Sequence, residues 1–214
     1  MKIMEPDIPK FLDEVEDFMN LIEKSKADDD DISCKNLKSV MIEDADISKT
    51  SFKEVIFENC KLENCSMQKS DFVNVIFKDC DFSNSDFSDG YFSRCAFISC
   101  KSVGVNFQNS HLQHISILES NFRYVNFDTS KINNVRIIDS NLNNSNISEC
   151  KLTNLELNNA DFTGVSFFKT PLKGIDFTMS CINGLTVSGA ELQGAIVNVQ
   201  QAAELAKLLG VVVK

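Results

Sequence analysis

The sequence predicts an all-β solenoid with a helix at each end, and three observations carry that reading. First, an apolar residue recurs every fifth position from Ile32 to Val197. Of 34 such positions only Ser102 is not a large apolar residue, and 14 of the 17 Phe fall on this ladder. A period of five matches neither the 3.6 of an amphipathic helix nor the 2 of an alternating strand, so a repeat architecture must be resolved before any single element. Second, the residue two before each rung is mostly small or β-branched, as at Val40, Val55, Cys60, Val75, Cys80 and Val105. Rung and minus-two residue therefore share one face of an extended segment. Third, Asn and Gly abound two after the rung (Asn59, Asn64, Asn84, Gly104, Gly164), where a corner needs residues that tolerate positive φ.

Taken in order, residues 1–31 form an N-terminal segment. Ile8, Phe11, Leu12, Val15, Phe18, Met19 and Ile22 fall at i, i+3, i+4 and i+7 spacing, which predicts an amphipathic helix over 8–26 with Pro9 in its first turn. Such a helix caps the open first coil or binds a partner; a solenoid needs its core hidden at the end. Ala27–Asp31 reads as a solvated hinge. Residues 32–197 are the repeat body. In residues 198–214, Gln200–Leu209 is made of strong helix formers, Gly210 stops the helix, and Val211–Val213 predicts a short strand.

The repeat unit is visible in Cys80-Asp81-Phe82-Ser83-Asn84, Ser85-Asp86-Phe87-Ser88-Asp89 and Ala160-Asp161-Phe162-Thr163-Gly164. It resembles the consensus of the pentapeptide-repeat family over residues 32–197. That resemblance implies a right-handed quadrilateral β-helix with one pentapeptide per side and four per coil. Rungs then stack at twenty-residue intervals, as Phe52, Phe72, Phe92, Leu112 and Phe57, Phe77, Phe97, Ile117. Ser102 is the fault in its column, and the expectation is a bulge that turns Val103 inward or a buried hydroxyl with a partner. The ending Glu191-Leu192-Gln193-Gly194-Ala195, with Gln201-Ala202, Leu208-Leu209-Gly210 and a β-branched tail, resembles that of the Qnr-type quinolone-resistance subgroup. This implies a homodimer through the C-terminus, built from Leu205, Leu208, Leu209, Val211, Val212 and Val213. Apolar surface of that extent at a chain end independently calls for cover.

No feature supports an enzyme. There is no phosphate loop, no Gly-x-Ser-x-Gly elbow and no Cys-x-x-Cys pair. Cofactors and a metal are not expected, since His111 and His114 are the only histidines and flank a rung toward solvent-facing corners. Six of the eight Cys occupy the minus-two slot as small reduced core residues. No apolar run reaches membrane-spanning length and no secretory leader is visible, so a cytoplasmic protein is expected. The net charge is −10, of which residues 1–31 carry −7. The nearly balanced body lacks the clustered basic residues that nucleic-acid binding needs.

Two surface features are candidate partner sites. Asp71, Asp79, Asp81, Asp86 and Asp89 form the densest acidic stretch, with Lys78 its only base. Ile98, Leu118 and Ile138 share an outward column beside Ile56, Ile76 and Ala96, rimmed by Asp79, Glu119 and Asp139; this stripe either binds a partner or seats the N-terminal helix. By resemblance the partner is DNA gyrase or topoisomerase IV, met by a rod that mimics DNA. The loop-free ladder implies binding or inhibition of gyrase without rescue from drug. The alternative is an architectural, protein-docking rod with no topoisomerase role.

Overall fold

A computed structural model describes residues 3–208 and 210–213. Along the chain lie β1 (Asp13–Glu14), α1 (Phe18–Asp28), β2 (Ile32–Ser33), β3 (Lys35–Lys38), β4 (Met41–Glu43), β5 (Ser51–Glu58) and β6 (Lys61–Glu63). Then follow β7 (Asp71–Lys78), β8 (Tyr91–Ile98), β9 (His111–Leu118), β10 (Lys131–Ile138), β11 (Lys151–Asn158), a 3-10 turn at Ala190–Leu192 and α2 (Val199–Leu208). Every strand pair is parallel, and through the solenoid the register advances by twenty, as in Phe52↔Phe72, Phe72↔Phe92 and Phe92↔Leu112. This is the parallel β-solenoid that the five-residue period predicts.

Each coil has four walls. Two are built by the eight-residue strands, whose rungs are Phe72 and Phe77 in β7. The third and fourth are held by single bridges such as Asp81↔Lys101 and Asp86↔Asn106. From Cys34 to Gly174 corners fall on the residue two after each rung, which is left-handed: φ is 53° at Asn59, 55° at Asn64 and 72° at Gly104. The same conformation recurs at Glu54, Lys69 and Tyr124, which carry the Cβ penalty that Asn and Gly lighten. The recurring cross-coil bonds oppose that penalty, as where Asp79 N–H donates to Ile98 O at 3.0 Å.

Inside, the phenylalanine rungs stack. Phe52 and Phe72 lie 5.2 Å apart at 8°, Phe72 and Phe92 4.7 Å apart at 11°. The minus-two residues have a second task besides filling space. Ser85 Oγ donates to Leu62 O at 2.6 Å and accepts from Cys65 N–H at 3.0 Å. Ser110, Ser130 and Thr170 do the same. Cys80, Cys95 and Cys100 replace the hydroxyl with a thiol, 3.3–3.4 Å from Phe57 O, Phe72 O and Phe77 O. All eight cysteines are free thiols. Burial pushes the Cys95 and Cys150 thiols up to about 12, which leaves them unreactive.

Ser102 departs from expectation. The coil there is regular, with Ser102 N–H donating to Asn121 O at 2.8 Å, so Val103 is not drawn in. The side chain is buried and its hydroxyl has no hydrogen-bond partner. The cross-coil backbone bonds resist a bulge more strongly than one small polar group can demand it. Ser102→Val is expected to raise stability by about 1–2 kcal/mol, because it removes an unsatisfied hydroxyl and adds buried apolar surface. A denaturant midpoint that falls instead would mean that the pocket cannot take the added carbons.

Both ends are capped, but not as the periodicity suggests. The N-terminal helix is shorter than the expected 8–26 and starts at Phe18, capped by Asp17 Oδ1, which accepts Asn20 N–H at 3.0 Å. Pro6 and Pro9 keep the residues before them extended, and at Asp13–Glu14 backbone pairing of β1 with β3 takes the place of helix. α1 closes the first coil: Phe18 packs edge-on against Phe57 at 6.3 Å, and Ile22 is buried, while Phe11 is 82% exposed. At the other end Asn198 and Gln201 form a reciprocal capping box, each N–H reaching the other's side-chain oxygen at 2.9 Å. Gln201 Nε2 also donates to Phe177 O and Ser180 O, which fastens α2 to the last coils, and Leu205 is buried against the core. Gly210 takes the left-handed stop at φ 79°. Val211–Val213 forms no strand.

Candidate functional site

The outer surface holds every group that could meet a partner, and its geometry regroups the residues singled out by sequence. Asp71, Asp79, Asp81, Asp86 and Asp89 do not form one patch. They occupy a single coil, so twenty residues of path carry them around all four walls. Asp81 bridges on the third wall and Asp86 on the fourth. Asp79 and Asp89 sit at corners, and Asp71 begins β7 on the first wall. Several are also committed to turns. Asp81 Oδ1 accepts Ser83 N–H at 2.9 Å and its Oγ–H at 2.6 Å, while Lys101 Nζ lies 2.9 Å from Oδ2. Asp86 accepts from Ser88 N–H and Asn106 Nδ2. Burial pushes both carboxyls up, yet these donors hold them below the ordinary aspartate range. Asp46, Asp161 and Asp176 brace their turns the same way. Aspartate before the rung thus serves the turn of the repeat at these positions.

The apolar stripe is real but divided. Ile98, Leu118 and Ile138 are stacked neighbours in β8, β9 and β10 and remain half-buried. Beside them Asp79, Glu119 and Asp139 line one corner column, and an open hollow of about 570 Å³ lies along it between Ser99 and Asp161. The companion column Ile56, Ile76, Ala96 continues through Ser116 to Arg136. Here the N-terminal arm lies, not the helix. Asp7 N–H donates to Asn74 Oδ1 and Met4 N–H to His114 Nδ1, both at 3.3 Å, and Glu5 pairs with Arg136. Ala96 and Ser116 are buried along this path. His114 is therefore a buried acceptor, contrary to the solvent-facing corner expected; His111 is half-buried, 5.5 Å from Tyr91 in an edge contact. Among the described residues no group of three or more His, Cys, Asp or Glu is placed to hold a metal ion.

The C-terminal face gathers exposed apolar side chains: Ile196 at 46%, Val199 at 89%, Leu208 at 47% and Val212 at 80%, with Val211 and Val213 also exposed. Leu205 points inward and serves the cap. Leu209 and Lys214 lie outside the described residues. Among the described residues no helix is long and apolar enough to cross a membrane.

Sequence reasoning missed one feature altogether. Strands β5, β7, β8, β9 and β10 are paired along both edges, but among the described residues β11 pairs only with β10. Its other edge faces Pro171–Thr178 across a cleft of about 610 Å³. Rungs Leu152 and Leu157 and the minus-two residue Leu155 are only half-buried there, whereas Ile132, Val135 and Ile137 one coil earlier are buried. The signal lay in Pro171. At that slot Tyr91, His111, Lys131 and Lys151 each donate N–H to a carbonyl of the preceding coil, and proline has none to give.

Family profiles agree with this architecture. Profiles described as pentapeptide repeat region and pentapeptide repeats match residues 70–147, 39–96, 130–167 and 140–178, together spanning 39–178. No curated protein sequence matches. Among solved structures, a trypsin-treated variant of QnrB1, a plasmid-mediated fluoroquinolone resistance protein, is 20% identical. It covers 84% of this chain and 99% of its own at a TM-score of 0.49. HetL, a pentapeptide repeat protein involved in heterocyst differentiation regulation from the cyanobacterium Nostoc, is 12% identical. It covers 86% and 98% of the two chains at a TM-score of 0.36. The five-residue ladder of rungs, the left-handed corners from Cys34 to Gly174 and profile matches over more than half of the length lead to one conclusion: the chain belongs to the pentapeptide-repeat family.

Proposed function

We propose that this protein is a non-enzymatic binding rod that associates through its C-terminal face and engages a type II topoisomerase, DNA gyrase above all, in place of DNA. The observation that carries the reading is the C-terminal end itself. An ending that resembles the Qnr-type subgroup closes with Ile196, Val199, Leu208 and Val211–Val213 exposed together, more apolar surface than a lone chain end holds comfortably. The acidic corner of Asp79, Glu119 and Asp139 supplies negative charge along one edge of the rod, the sign that a DNA-binding groove attracts. The five aspartates of one coil contribute less, since turns and lysines occupy several of them. Because no loop interrupts the coils, the rod blocks the enzyme without relieving it of drug. A supercoiling assay tests this: micromolar protein is expected to inhibit DNA gyrase with or without a fluoroquinolone. Unchanged supercoiling and unchanged drug-stabilised cleavage at that concentration would sink the reading.

A second reading is favoured by the half-buried Ile98, Leu118 and Ile138 stripe, a docking surface for a protein other than a topoisomerase. It predicts that Leu118→Glu abolishes partner capture while leaving any effect on gyrase unchanged.

A further inference from the structure

The opening beside β11 is shaped for one more strand, and we propose that it receives the Val211–Val213 tail of a second copy of this chain. The proposal rests on the C-terminal self-association above and says where the tail goes.

The backbone argues first. On the third and fourth walls the coils flanking the opening stay bridged, Asp161 to Cys181 and Ser166 to Thr186. On the first and second walls they part. Pro171 withholds its N–H, and Asn159 N–H donates to Met179 O, one residue further along than Asp139 to Asn158 in the coil before. The result is a wedge hinged on two walls with a free parallel edge of β11 along its upper lip. Backbone N–H and C=O groups beside an apolar floor are satisfied only by another extended chain, the means by which sheet edges capture peptide strands.

The side chains then select the occupant. The floor is Leu152, Leu155, Leu157 and Ile175. One end of the cleft carries Lys173 and the other Glu156 and Asp176; all three are exposed. A strand parallel to β11, as every neighbour in this solenoid is, runs from the basic end to the acidic one. With Val211 opposite Leu155, strand alternation turns Val211 and Val213 onto Leu155 and Leu157 and leaves Val212 outward beside Glu156. Beyond the corner at Asn154, the edge from Leu155 to Leu157 offers three residues, the number from Val211 to Val213. β-branched residues favour strands, yet this triplet is exposed and unpaired in the single chain. Reciprocal exchange of two tails gives a closed two-fold dimer.

The first test uses unmodified protein. Backbone hydrogen exchange over residues 151–158 is expected to slow about tenfold from dilute to concentrated solution, and Val212→Asp should abolish that slowing. In the second test, Glu156→Cys and Val212→Cys are prepared as separate single variants, mixed and oxidised, so that any link between them joins two copies. A disulfide-linked pair is expected in several-fold excess over Val212→Cys mixed with Ser88→Cys on the fourth wall. Dimers by sedimentation with unselective cross-linking and concentration-independent exchange would overturn the tail docking and leave the C-terminal association standing. Monomers at every concentration would overturn both. A double variant that closes its disulfide within one molecule at high dilution would show that the tail fills its own groove, and the second copy would fall.

Discussion

Phe77→Ala is expected to lower the stability of the folded chain by about 3–5 kcal/mol, among the largest effects of any single core truncation here. Phe77 is fully buried at the centre of the aromatic column. Its ring lies 5.1 Å from Phe57 and 4.7 Å from Phe97, both stacked, and meets Phe82 edge-on at 5.2 Å. Two effects add. The ring loses its burial, and the void it leaves cannot collapse, because β7 is pinned on both sides by β5 and β8 in fixed register. Leu157→Ala serves as the internal comparison. Leu157 occupies the same column beside the cleft but is only half-buried, so its loss is expected to cost about 1–2 kcal/mol. Urea unfolding of both variants checks the pair. In a repeat stack each coil contacts only its neighbours, so a fall in the slope as well as the midpoint would reveal separate fraying of one end. Equal losses at the two sites would contradict the burial argument.

Glu191→Ala is expected to cost about 3–5 kcal/mol, although glutamate in a surface turn usually contributes little. Glu191 is 5% exposed and sits in the 3-10 turn that follows Gly189. Its carboxylate accepts Lys169 N–H at 2.8 Å, Ser188 N–H at 2.9 Å, Gly189 N–H at 3.0 Å and the Ser188 hydroxyl at 2.8 Å. Burial pushes the carboxyl up, but these donors outweigh it and hold it at about 2, against an ordinary 4.5. A carboxyl lowered by folding stabilises the protein fully above its unfolded value and loses that contribution as pH falls through the folded one. The loss therefore runs from about pH 4.5 down to about pH 2 and amounts to roughly 3 kcal/mol. Melting temperature followed from pH 7 to pH 3 measures it. The wild type should lose more stability than Glu191→Gln over that range, and parallel curves would remove Glu191 from the account. Because Glu191 ties the turn back to Lys169, the truncation should also loosen the seat of α2, visible as faster exchange in residues 188–208.

What the sequence determined alone is whatever repeats locally. Rung, minus-two filler and left-handed corner each recur within five residues, so the core from Ile32 to Phe177 could be named without knowing where any coil goes. Thiols as small buried residues, the helix before Gly210 and the stop at Gly210 belong to the same class, because each depends on neighbours in the chain. The tertiary structure decided what depends on residues far apart. The arm runs extended because Pro6 and Pro9 disfavour helix and because Asn74, His114 and Arg136 wait on the wall, up to 131 residues away. Five aspartates close in sequence part company because twenty residues make a full circuit. Pro171 could be read as a missing donor, but its consequence could not. Whether the next coil closes or opens depends on the balance between two walls that stay bridged and two that lose their ladder, a contest decided only once the coils are stacked.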